Sequence, residues 1–446
     1  MIKKKKSIYD TKIKMFLKCL KYKGIFSVIG AIFQQLTLFS LFSFANICTN
    51  IGKKTDADTK VSFFLNPITN IYMCIFCFIG GFSERHLGIH ITIIISGLSI
   101  SLGSFLLILS SNIYLDFAIT ILYGFGFGIS MTAAVGNACK YYPNIRGLIT
   151  AICGGIGGNI GSALCNYMNS IYGEDCDKYL KFHIIFILSG SFLAVIFITV
   201  YKEEQKQNAI NTNSNNLESE NENNNENVDK ENELTNSNEE TNNENKKENK
   251  EIPLTVILKH SRVYYILLLF FCCCFVQGFI MTVGFEFGVN VVKDINHSKM
   301  GIIFTIMSLT GCVAGPIWGH IHDKLQFQKT LMLVNIISMI NSGLIIFTKK
   351  HFVAYAFSIV INGNLNTGAF AMIFPHVSRV FGFKYAGDLY AVVVFSTGIS
   401  TLIGSVILYI IYTSLNSCII VFFIGAGINI IGFVLCFFEN DDIFKV

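Results

Sequence analysis

Charge is scarce in this chain of 446 residues: Asp, Glu, Lys and Arg together make up 14% of it, where soluble globular domains carry about 25%. There are only five prolines and one tryptophan. A chain this poor in charge cannot clothe a soluble surface of its own size, which argues against a soluble enzyme. A nucleic-acid binder is excluded too, because no basic face with interleaved aromatics exists; nine lysines crowd instead into the first 23 residues. Neither a phosphate-cradling Gly-x-x-x-x-Gly-Lys loop nor a nucleophile–base arrangement is present, so ATP-driven transport and hydrolysis have no support and no enzymatic activity is expected. The run Gly124-Phe-Gly126-Phe-Gly128 follows no strand and is not a dinucleotide fingerprint. Zinc-finger spacing is missing among the 14 cysteines, most of which, Cys272, Cys273 and Cys274 included, sit in apolar runs where a thiol acts as a small hydrophobe. His320 and His322 stand two apart, so on a helix they point in different directions. No metal site and no cofactor are expected.

What the chain has instead is apolar length. Its composition is 52% hydrophobic, with 41 phenylalanines and a mean hydropathy of +0.53. A bilayer-crossing helix needs about 20 mostly apolar residues, and such runs fall at 24–48, 61–82, 89–110, 113–138, 147–169 and 181–201, then at 262–287, 300–320, 329–348, 352–375, 387–412 and 417–438. The fold class read from this pattern is an all-α membrane protein with twelve transmembrane helices in two six-helix halves, 24–201 and 253–438, acting as a monomer in the lipid bilayer. Between the halves, residues 202–252 hold 17 asparagines and 14 of the 29 acidic residues, a composition that cannot form a core and reads as a disordered linker. Residues 1–23 form a basic tail and 439–446 a short C-terminal one. If the N-terminus is cytoplasmic, sixteen basic residues flank the spans on that side and nine on the other; the positive-inside rule then places both termini and the linker in the cytoplasm.

One pattern recurs. Gly80-Gly81-Phe82-Ser83-Glu84-Arg85 follows the second run, and Gly319-His320-Ile321-His322-Asp323-Lys324 follows the eighth, the same Gly-x-x-x-acid-base spacing 239 positions later. Here Gly would permit a tight helix exit while the acid–base pair grips a neighbouring helix end. Six plus six spans with this repeat resemble the major facilitator superfamily, whose halves rock about a site at mid-membrane. Longer stretches are similar to the oxalate/formate antiporters and, more distantly, the monocarboxylate transporters. They are Tyr142-Pro143-Asn144-Ile145-Arg146-Gly147-Leu148-Ile149-Thr150, Pro316-Ile317-Trp318-Gly319, and Phe374-Pro375 followed by Phe381-Gly382-Phe383-Lys384, Gly387, Tyr390 and Gly398.

The resemblance implies a secondary transporter for a small organic solute, coupled to protons or to a counter-solute, with a monocarboxylate favoured. An amino acid, another zwitterion or a neutral solute is the alternative, and a transport-dead receptor a further one. It also implies that spans one, four, seven and ten line the pathway, which gives weight to Gln34, Tyr123, Gln277 and Asn366 as solute ligands, with Thr397 from span eleven. Polar side chains inside a span are costly unless they meet a cavity or a partner, and an amide can donate and accept. Where the oxalate carriers hold cations, the aligned positions here are Gly315 and Thr397, so a dicarboxylate is not expected. Glu286 is the one carboxylate well inside the later part of a span and the candidate for proton coupling. Asp116 and Asp388 fall near helix starts and read as interfacial. Gly80, Glu84, Arg85, Arg146, Gly319, Asp323 and Lys324 form the expected gating set. Gly154, Gly155, Gly157, Gly158 and Gly161 in span five supply Gly-x-x-x-Gly pairs for close helix approach.

Overall fold

A computed structural model describes residues 22–439 except 58, 63, 143–144, 173–174, 202–253, 383–384 and 416–418. The linker, residues 1–21 of the N-terminal tail and residues 440–446 of the C-terminal one therefore lie outside the described residues, as do the side chains of Gln277 and Glu286. The helices are α1 (Tyr22–Lys54), α2 (Leu65–Leu87), α3 (Ile89–Leu109), α4 (Ile113–Tyr141), α5 (Arg146–Tyr172), α6 (Cys176–Phe197), α7 (Ser261–Val291), α8 (His297–Leu344), α9 (Phe352–Phe381), α10 (Ala386–Leu415) and α11 (Ile419–Cys436). Among the described residues eight helices are long and apolar enough to cross a membrane, and three shorter apolar helices accompany them. α8 is bent: Gln326 has φ 68° and ψ 169°, outside the helical region, so the helix turns back there.

Local chemistry sets several helix ends. Asn112, Asp175 and Asn296 each accept a hydrogen bond from a backbone N–H at the start of α4, α6 and α8, the N-cap role of these side chains. The Asp175 cap starts α6 about five residues before the expected edge, which draws Lys178 into the helix. α1 is interrupted by a 3-10 turn at Ser40–Ser43. Hydroxyls cause it: Thr37 donates to Gln34 O at 2.7 Å, Ser40 to Thr37 O and Ser43 to Ser40 O at 2.6 Å, each competing with the helical ladder. α5 begins with a π-helical stretch at Ala151–Gly158, where Asn159 returns its side-chain N–H to Gly155 O at 2.5 Å.

The expected exit role of Gly80 is corrected here. α2 continues through Glu84 and Arg85 to Leu87 and ends at Gly88, whose φ of 78° suits glycine. Gly80 lies inside the helix, where a Cβ would come within 2.8 Å of Gly128 O; its lack of a side chain lets α2 and α4 touch. Likewise Gly319 to Lys324 lie on α8 and the chain turns at Gln326. Gly157, Gly158 and Gly161 press α5 against Ile32, Phe39 and Leu36 of α1. Large apolar side chains such as Ile185, Phe192 and Phe357 face outward, each about two-thirds exposed, a surface made for hydrocarbon rather than water.

Candidate functional site

Where α1, α2, α4 and α5 meet α7, α8, α9 and α10, they enclose a cavity of about 180 Å³. Its wall carries the amides of Gln35, Asn66, Asn70, Asn159 and Asn366 and the hydroxyls of Ser162, Ser308, Thr367, Thr397 and Thr401. Phe39, Phe42, Phe127, Phe370, Phe374 and Tyr390 supply rings. Among the described lining residues no side chain is charged.

Two of the amides stand ready for a ligand. Among the described residues the Asn70 and Asn366 side chains have no hydrogen-bond partner, and both are half-buried. They come from an early and a late helix, α2 and α9, and each offers two donors and an acceptor. Gln35 is partly committed, donating to Met131 O at 2.9 Å. The Thr397 hydroxyl lies at 3.7 Å from Cys74 Sγ and donates to Val394 O.

The sequence-derived ligands separate. Asn366 and Thr397 line the cavity; Gln34 and Tyr123 do not. Gln34 is fully buried with Nε2 at 2.6 Å from Ser130 Oγ, because its neighbour Gln35 takes the inward face of α1. Tyr123 is fully buried within the first six helices, its hydroxyl 2.9 Å from Ser104 Oγ. Asn70 was not singled out in the sequence; its signal was an amide in an apolar run, one turn from Asn66. Asp116 lies in the first turn of α4, near the helix start as expected, and its side chain is buried against the protein.

Early and late helices also touch one another around the cavity. At one end Arg85 Nη1 meets Asp388 Oδ2 at 3.2 Å, so Asp388 is paired across the molecule. Glu84 binds Lys140 at 3.5 Å, and burial pushes its carboxyl above the usual carboxylate range against the pull of that lysine. Arg146 opens α5; a Cβ on the next residue, Gly147, would stand 3.6 Å from Pro375 Cγ and 3.8 Å from Asp323 Oδ1. Lys324 is exposed at the same end and Gly319 faces Ala151. Towards the other end Ser308 donates to Ser162 at 3.1 Å and the rings of Phe64 and Tyr409 meet at 5.6 Å. Between these ends the backbones of Gly155 and Gly315 touch.

The Arg85–Asp388 pair predicts a conformational effect. One partner is more than half exposed, so the pair contributes at most about 1 kcal/mol, a factor of roughly five in an equilibrium. Arg85→Ala should shift the balance between open and closed ends by about that factor, and the swap of Arg85→Asp with Asp388→Arg should restore it. Distance distributions between spin labels at that end measure the shift; an unchanged distribution in Arg85→Ala would show that the pair does not hold it closed.

A polar cavity shared between early and late helices is the arrangement expected of a carrier. The family model described as the Major Facilitator Superfamily matches residues 149–340 and 279–444, about two thirds of the chain, and the protein belongs to that superfamily of multi-pass membrane transporters. A particular relative is the uncharacterized MFS-type transporter YhjX of Escherichia coli (strain K12), 22% identical over 385 residues that cover 84% of this chain and 85% of the relative.

Proposed function

We propose that the chain is a twelve-span secondary transporter that moves a small monocarboxylate by alternating access. In this reading α1–α6 and α7–α11 form two six-helix repeats, bounded as 24–201 and 253–438, with the bend at Gln326 dividing α8 into two spans. The tail, the linker 202–252 and the C-terminus face the cytoplasm. The observation that carries the solute class is the wall of amides, hydroxyls and rings with unpaired Asn70 and Asn366. A single carboxylate can share amide donors, whereas a second buried negative charge would lack any partner and cost several kcal/mol. Asn366 and Thr397 act as solute ligands; Gln34 and Tyr123 shape the helices behind them. Gln277 and Glu286 keep their proposed roles of solute ligand and proton-coupling group. The uncharged wall equally supports a zwitterion or neutral solute as the second reading.

Proteoliposomes offered labelled lactate, pyruvate, formate, oxalate, an amino-acid set and a polyol distinguish these. Uptake of a monocarboxylate with oxalate rejected is expected, and Asn366→Leu should reduce that uptake at least tenfold, since removing one buried polar anchor loses about 1.5 kcal/mol or more. Efficient oxalate exchange would sink the argument from the uncharged wall.

A further inference from the structure

The first six helices enclose a histidine that the cavity does not use. His183 of α6 is 3% exposed. Its Nε2 lies 3.0 Å from Ser40 Oγ of α1 and its Nδ1 3.0 Å from Ser104 Oγ of α3. Tyr123 and Tyr179 lie nearly parallel to the imidazole on ring centroids 6.2 and 5.9 Å away.

Proton bookkeeping fixes the neutral state. Ser40 gives its hydroxyl hydrogen to Thr37 O, so towards His183 it can only accept, and Nε2 must carry the imidazole proton. Nδ1 is then an acceptor. The Tyr123 hydroxyl donates to Ser104 Oγ at 2.9 Å, leaving the Ser104 hydrogen for Nδ1. A second arrangement is already built in, because Ser104 Oγ also lies 3.2 Å from Ile100 O. If Nδ1 gains a proton, it donates to Ser104, which turns its own hydrogen to the Ile100 carbonyl. Every donor and acceptor in the set stays paired in both states, and only one hydroxyl hydrogen rotates.

We propose that His183 is a proton-binding site of the transport cycle, enclosed between α1, α3, α4 and α6 and reporting to the cavity through α1. Ser40 begins the 3-10 turn of α1, and its other end, Ser43, is held by the Tyr179 hydroxyl at 2.5 Å. Phe39 and Phe42, beside and within that turn, line the cavity. A proton on the ring turns the Nε2–Ser40 bond into a charge-assisted one, about twice as strong as a neutral bond, and tightens the turn that presents those rings to the solute.

The titratable groups around the ring are few. α4 presents Tyr123 and, two turns nearer its start, the buried Asp116; α5 presents Cys165, which bonds Tyr179 and Ser40. α6 itself adds Tyr179, Cys176 and Asp177, the last paired with Lys54 of α1 at 2.8 Å. Cys48 is the thiol that α1 contributes nearby, and α3 presents Ser104. The cations at this end of α1 and α6 are Lys53, Lys54, Lys178 and Lys181, of which Lys54 pairs with Asp177 and Lys178 with Asp175.

The proposal rests on the transport reading, and the test separates the two. Nitrogen-15 histidine spectra of the purified protein, assigned by His183→Gln, should show the Nε2–H tautomer at high pH and conversion to a doubly protonated ring over a titration from about pH 8 down to about pH 4. In proteoliposomes with labelled lactate as the probe, one unit of pH gradient is worth about tenfold accumulation at one proton per solute. His183→Gln should lose that accumulation and keep lactate counterflow within about twofold, a change under 0.5 kcal/mol. If the glutamine variant fails to fold, Ser104→Ala provides the test: it removes the hydroxyl that receives Nδ1–H, so the ring's titration midpoint should fall. A His183 ring that stays neutral throughout that range, or wild-type-like accumulation in His183→Gln, overturns the proposal. Absence of counterflow with every monocarboxylate would overturn the solute reading alone, and the spectra would still decide the proton site.

Discussion

Gly161→Leu is expected to prevent the first six helices from assembling. A Cβ at this position would overlap the Leu36 carbonyl oxygen and sit 2.9 Å from Leu36 Cα, both of them backbone atoms that no rotamer can move. Gly157 stands one turn earlier, where a Cβ would come within 2.7 Å of Ile32 O, and Gly158 would meet the Phe39 ring at the same distance. The stripe therefore brings the backbone of α5 against that of α1. In a bilayer that contact stands in for the hydrophobic drive that lipid removes. Overpacking in an ordinary core costs about 1–3 kcal/mol, and rigid backbone on the receiving side puts Gly161→Leu at or above the top of that range. Gly154, with nothing within 4 Å of a built Cβ, is the control, and Gly154→Ala should melt like the wild type. Thermal unfolding in detergent measures both; an unshifted midpoint for Gly161→Leu would mean the two helices are not in contact.

The second large effect is on transport with the fold kept. At Gly155 a Cβ would lie 3.6 Å from Gly315 Cα, and at Gly315 it would lie 3.3 Å from Gly155 Cα and 3.4 Å from Thr367 Cγ2. A methyl group nearly fits; a branched side chain does not. Gly155 borders the cavity and Gly315 packs against it from α8, so a larger group can be relieved by parting α5 from α8. Parting them opposes the packing of α5 on α8. Gly155→Val and Gly315→Val should therefore reduce uptake more than tenfold, corresponding to about 1.4 kcal/mol or more against closure, while the melting temperature stays near the wild-type value. Gly155→Ala should retain most of the activity. Wild-type transport by both valine variants would show that the halves do not pivot at this crossing.

Hydrophobic run length made the helical membrane fold legible, since it needs no information about neighbours. Register around each helix was harder to read. Gln34 and Gln35 are chemically identical and adjacent, and only packing decides that Gln35 meets the cavity while Gln34 turns to Ser130. Tyr123 carried a pathway expectation from its helix, yet glycines at 124, 126 and 128 draw α4 against α2 and α3 and turn that ring inward. Neither copy of the Gly-x-x-x-acid-base repeat marks its helix exit, because positive φ at Gly88 and Gln326 is set several residues further on. His183 went unnoticed because a lone histidine in an apolar run looks like core until its two serine partners, 143 and 79 positions away, are brought beside it.

The uncharged lining has an electrical consequence. Membrane voltage does work only on charge that moves, about 2.3 kcal/mol per elementary charge per 100 mV. With no charged side chain among the described residues of the wall, the empty carrier reorients without carrying current through that wall. Any voltage sensitivity then reports the cargo. A lone anion would be pushed outward by a negative-inside potential, an anion travelling with one proton would ignore it, and the current per solute would count the protons directly.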